Sequence, residues 1–133
     1  MKHLMKRYEI KLRIGKKNLS LFVYASHLED AFNLLAANDA AFSTHDKLRV
    51  KLLLDCRAYF RPSNRQNTIG DVVFKEGDIA ALIHECGHAA YECARRGLIP
   101  DNLCSRHTDE ERVCVALGII SEAVLSKVRH AIA

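Results

Sequence analysis

The chain has no apolar run long enough to cross a bilayer, and no apolar stretch follows the charged opening Met1-Lys2-His3-Leu4-Met5-Lys6-Arg7 as it would in a secretory signal. The protein is therefore expected to stay in the cytoplasm in which it is made, with no membrane as partner. The sequence also has no C-x-x-C pair. Its five cysteines, Cys56, Cys86, Cys93, Cys104 and Cys114, form an odd set that reads as free thiols in a reducing compartment. No internal repeat or low-complexity tract divides the 133 residues, a length that suits one domain, 1–133, with a single core. Charge of one sign is scarce overall, the formal balance being only +4, but it is unevenly placed. Lys2, Lys6, Arg7, Lys11, Arg13, Lys16 and Lys17 stand against Glu9 alone at the N-terminal end. Such a cluster is either an electrostatic footprint for nucleic acid or another acidic partner, or a guard that keeps an exposed hairpin edge from aggregating.

Alternation is the clearest local signal. Tyr8, Ile10, Leu12 and Ile14 alternate with polar residues, Gly15-Lys16-Lys17-Asn18 supplies a turn, and residues 19–24 resume as a strand rich in β-formers. A hairpin follows from that pattern. Ser26 and Glu29 form a capping box, and Leu28, Ala31, Phe32 and Leu35 make an apolar stripe, so a helix over 27–37 is expected to pack on the hairpin. Residues 38–46 fit either an extension of that helix or a loop. Val50, Leu52, Leu54, Cys56, Ala58 and Phe60 suggest a strand within 48–60, and 61–67 read as a loop. Residues 68–74 read as another strand, with a bulge at Gly70 and Asp71. If that strand lay at an edge it could hold an extended peptide by β-augmentation. Two helices end the chain. The fold class is α+β, a small mixed sheet with an N-terminal hairpin and helix followed by two C-terminal helices.

The first of these helices carries the chemistry. Residues 78–96 contain no proline, Asp78 is a good N-cap, and Gly97 is well placed to end the helix. Within it, His84-Glu85-Cys86-Gly87-His88 has the form H-E-x-x-H. Residues four apart on a helix share a face, so His84 and His88 can direct two imidazoles at one ion. Zinc suits such ligands, and in catalytic sites it keeps three protein ligands and leaves one position for water. Glu85 lies beside the pair, where a general base would reach that water. Gly87 costs about 1 kcal/mol relative to Ala in a helix interior, which suggests that another backbone or the metal pocket comes close. Cys104 and His107, with Cys93 nearby, have spacing that a second, structural zinc could use, although small buried cysteines are the commoner outcome.

A third ligand must come from elsewhere, and His107, Asp109, Glu110 and Glu111 cluster at the start of the last helix, where Thr108 and Glu111 form a capping box. Glu111 shares a face with Cys114, Val115, Gly118 and Glu122, and Glu110 with Val113, Leu117, Ile120 and Val124. Periodicity leaves the choice open. H-E-x-x-H followed by a glutamate early in the next helix resembles the gluzincin branch of zinc metallopeptidases, and within it the small H-E-x-x-H proteins of bacteriophages and prophages. Those carry an acidic residue followed by a small residue three positions on and a glycine seven on, a pattern matched here by Glu111, Cys114 and Gly118. The resemblance covers roughly residues 68–128 and implies that His84, His88 and Glu111 bind zinc. Glu85 would then serve as catalytic base in peptide-bond hydrolysis of a peptide or protein substrate. Tyr91, His107 and Arg112 are the residues near enough in sequence to assist. The alternative is a zinc-stabilised, non-catalytic protein of phage origin that acts on a host protein or nucleic acid through its basic hairpin.

Overall fold

A computed structural model of the chain describes residues 6–25 and 58–132. The expected helix over 27–37, the undecided stretch 38–46 and most of the strand expected within 48–60 lie outside those residues.

The hairpin forms as the alternation requires. Strand β1, Lys6–Ile14, pairs antiparallel with β2, Lys17–Ala25. The turn is tighter than expected, because Lys17 already pairs with Ile14 and only Gly15 and Lys16 remain outside the ladder. Ile10, Leu12 and Ile14 of β1 and Leu19, Leu21 and Val23 of β2 are buried, while Arg7, Glu9, Lys11 and Arg13 between them are exposed. Each strand therefore has one face on the core, as a period of two demands.

Strand β3, Ala58–Pro62, and strand β4, Thr68–Phe74, form a second antiparallel pair, so Arg61 and Pro62 belong to a strand and the loop shrinks to 63–67. Strand β4 also pairs parallel with β2, giving a four-stranded mixed sheet in the order β1-β2-β4-β3. β4 is thus an interior strand. Its backbone is occupied on both sides, which removes the expected role of an edge that receives a peptide. A bulge does occur close to the expected position, where the β2 register steps from Thr68 to Gly70 and leaves Ile69 as the extra residue. Gly70 is required there. A Cβ at that position would run into the Arg61 carbonyl oxygen and stand 2.9 Å from the Phe60 ring.

One helix follows β4 directly. Helix α1, Ile79–Arg95, is capped by Asp78, whose side chain accepts from the Ala81 N–H at 3.2 Å. At the other end Gly97, with φ of +69°, lets its own N–H reach Ala94 O and that of Leu98 reach Cys93 O, both at 3.0 Å. This is the paired closure of a Schellman motif. The Arg96 guanidinium then fastens the end of α1 to the sheet. It donates to the carbonyls of Thr68 at 2.8 Å, Ile69 at 3.2 Å and Ser63, and its Nε reaches Glu92 at 3.1 Å.

A short 3-10 turn, Asp101–Leu103, leads to helix α2, Asp109–Ile132, which kinks at Val128. Both helices lie on one face of the sheet. Leu82, Cys86, Ala89, Ala90 and Cys93 of α1 meet Ala116, Ile120, Val124 and Val128 of α2 and the inward strand residues in a single core. In α2 the buried stripe begins at Ala116, and Leu117 is only half-buried. No helix among the described residues is long and apolar enough to cross a membrane.

Two carboxylates are buried in α1, Glu85 and Glu92, each 6% exposed. Glu92 is fully matched. Burial alone would raise its pKa, but hydrogen bonds and charge from Arg95 and Arg96 outweigh that and hold the carboxyl below its usual range. Arg96→Ala leaves that carboxylate and the turn carbonyls short of donors, and is expected to cost about 2–3 kcal/mol in urea denaturation at neutral pH. Because the folded pKa of Glu92 is lowered, its contribution is present above the unfolded value of about 4.3 and is lost as pH falls through the folded value. The gap between wild type and variant should accordingly narrow in acid. A gap that stays constant with pH would show that the Glu92–Arg96 pair does not carry the effect.

Candidate metal centre

His84, Glu85 and His88 are brought together by α1 itself, their ligand atoms all lying within 4.8 Å of one another. Among the described residues this is the one group of three or more His, Cys, Asp or Glu side chains that could hold a metal ion. The Nε2 atoms of His84 and His88 are 3.2 Å apart, with the rings edge to face at 73° and their centroids separated by 4.9 Å. Two nitrogens on a tetrahedral zinc, each about 2.05 Å from the ion, stand about 3.3 Å apart. The pair already has the span that a shared ion needs. Without metal, the same separation allows one ring nitrogen to donate a hydrogen bond to the other.

Burial differs sharply within the group. Both imidazoles are exposed, whereas the Glu85 side chain between them turns inward and is 6% exposed. It makes no hydrogen bond among the described residues, in contrast to Glu92 two turns further on. Burial raises the Glu85 pKa, and the charges of His88 and His84 offset part of that rise. A buried carboxylate without donors is costly, and its natural complement is a cation or a polar ligand held at the adjacent imidazoles.

Glu111 is not within that group. Its backbone N–H is capped by Thr108 Oγ1 at 3.2 Å, as the sequence suggests, but its carboxylate does not close the capping box. Instead Oε1 accepts from the Ser105 hydroxyl at 2.9 Å and the Ser105 N–H at 3.3 Å, and no described residue donates to Oε2. Ser105 has no sequence signal that would have singled it out. Asp109 pairs with Arg112 at 3.2 Å, and Arg112 also pairs with Asp101 at 3.2 Å, so neither is available without breaking an ion pair. Glu110 and His107 are exposed. Tyr91, one turn beyond His88, is 62% exposed and leaves its ring open beside the pair.

Two expectations about this region change. A Cβ at Gly87 would meet no atom of the described residues within 4 Å, so of the two expected reasons for this glycine no described backbone supplies the first, and the room beside the histidines leaves the second, a metal pocket. Cys93 is buried in the core, with its thiol pushed up to about 11 chiefly by burial, and Cys104 Sγ donates to Pro100 O at 3.8 Å. Cys93, Cys104 and His107 form no second metal group. Cys86 is likewise a core thiol, raised to about 12 by burial and by the charge of Glu85.

Comparison of the chain with protein-family models, with curated proteins and with solved structures finds no match. The metal-binding capacity of the group therefore rests on the donor set itself.

Protein purified without chelator is expected to carry about one transition-metal ion per chain, read by elemental analysis, and His84→Ala and His88→Ala should each lose it. Sub-stoichiometric metal that added zinc cannot restore would remove the basis for a metal centre.

Proposed function

We propose that the protein is a small zinc-dependent peptidase in which His84 and His88 hold the ion, Glu111 completes the ligand set, and Glu85 is the catalytic base. The observation that supports this reading best is the placement of Glu85, a carboxylate withdrawn from water, without a hydrogen-bond donor among the described residues, and within 4.8 Å of two imidazole nitrogens spaced for one ion. A purely structural metal has no use for such a group beside it.

Bound zinc would supply a water activated for attack and an electrophile for the substrate carbonyl. With the ion in place, the Glu85 carboxylate would accept the proton of the attacking water and return it to the departing amine nitrogen, a role that its position within 4.8 Å of both imidazole nitrogens supports. The exposed His84 and His88 face and the open space beside Gly87 let a polypeptide backbone come close to the site. Ser105 holds Glu111 Oε1 through its hydroxyl and its N–H, and Oε2, to which no described residue donates, would be the ligand atom. The similarity of Glu111, Cys114 and Gly118 to the ligand helix of small phage and prophage metallopeptidase-like proteins supports the same assignment.

Glu85→Gln keeps the shape and removes the base. Zinc content and thermal stability should stay near wild type while hydrolysis of casein or a peptide library falls by about two to four orders of magnitude. Unchanged hydrolysis, or none in the wild type against any peptide, would contradict the peptidase reading. In a competitive chelator titration Glu111→Ala should weaken zinc binding far more than Glu110→Ala. The reverse ranking would transfer the third ligand to Glu110.

A further inference from the structure

The basic hairpin has no part in the metal chemistry, and its solvent-facing residues divide into those with partners and those without. Lys6 pairs with Glu76 at 2.9 Å. Arg7 lies over the Phe22 ring, 4.4 Å from its centroid, and donates to the Tyr24 hydroxyl at 3.2 Å. Glu9 accepts from the Ser20 hydroxyl at 3.4 Å. Lys11, Arg13, Lys16 and Lys17 remain exposed with no partner among the described residues. They crowd the turn end of β1, a nine-residue strand that ends the sheet and has no described strand beyond it.

We propose that the outer edge of β1 is a docking strand for an extended, acidic polypeptide segment, which adds to the sheet by backbone hydrogen bonds and places alternate carboxylates against Lys11 and Arg13. A free edge offers a row of unpaired N–H and C=O groups, and Lys11 and Arg13, two residues apart, lie on one face of it. Side chains on an added strand that point to that face come within about 5 Å of them. The charge selects the occupant. A second copy pairing edge to edge brings a single acid, Glu9, and so leaves Lys11 or Arg13 facing another cation or no acid in every register, whereas an acidic strand meets both Lys11 and Arg13 with opposite charge. A single-stranded nucleic acid is the weaker fit, because the large apolar side chains exposed among the described residues, Ile79, Tyr91 and Leu103, are all off the hairpin, and Arg7 already covers Phe22. The proposal is independent of the metal centre.

A fluorescent peptide of alternating Glu and Val, as long as β1, tests it by anisotropy against the full chain. Two further peptides carry N-methyl groups, one on every Glu amide and the other on every Val amide, with charge unchanged. An added strand turns only one of these amide sets toward β1, so one methylated peptide should bind like the parent and the other should fail. Lys11→Glu with Arg13→Glu should weaken the parent peptide by about tenfold or more. Equal binding of both methylated peptides, no binding of the parent, indifference to the charge reversal, or tighter binding of duplex DNA than of the peptide would each overturn the proposal.

Discussion

A carboxylate taken out of water has to be matched by donors or by positive charge, and the burial of Glu85 within α1 is the constraint to which the rest of the site answers. Glu92, equally buried on the same helix, shows how the fold meets that demand when only structure is at stake, with two arginines supplied from the adjacent turn. Among the described residues no such donor is supplied to Glu85. Its carboxylate lies within 4.8 Å of two imidazole nitrogens that stand 3.2 Å apart, a separation that suits one shared cation. The cost of the unmatched carboxylate falls on the metal-free state, and a bound cation relieves it.

That arrangement holds only if α1 cannot rotate or slide. Its start is closed by the Asp78 cap and its end by the Schellman closure at Gly97, and Arg96 ties its last turn to the Ser63 carbonyl of the β3–β4 loop and to those of Thr68 and Ile69 at the start of β4. Because β4 runs directly into α1 and is itself paired on both sides, the helix is registered against the interior of the sheet. The histidines are therefore positioned by a rigid element, the condition under which a few tenths of an ångström in ligand spacing can be maintained. α2 packs beside α1 through Ala116, Ile120 and Val124, and carries Glu111 at the end nearest the Ser105 loop.

Much of this was legible locally. The hairpin, β4, the H-E-x-x-H helix with both caps, and the Thr108 cap of α2 each depend on residues close in sequence, and all appear where periodicity and capping chemistry put them. What was not legible depends on pairing across the chain. The alternation of β4 cannot reveal that β2 lies on one side of it and β3 on the other, so its interior place came only with the structure. Arg96 reads as an ordinary basic residue at a helix end until the turn carbonyls appear beneath it. Gly87 read as a point where a backbone or a metal pocket comes close, and among the described residues no backbone does. The reach of the Glu111 carboxylate to Ser105 is a tertiary contact with no pattern in the sequence.

The central claim is that one ion is shared by His84 and His88 with Glu85 beside it and outside its ligand shell. Crystallography of the zinc-loaded protein, with anomalous scattering collected at the zinc edge, tests it directly. The account predicts a single peak about 2.0–2.1 Å from both Nε2 atoms, a Glu111 carboxylate oxygen as third ligand, and the Glu85 carboxylate within hydrogen-bond reach of a water at the fourth position. A peak at other residues, or Glu85 bound directly to the ion, would contradict it.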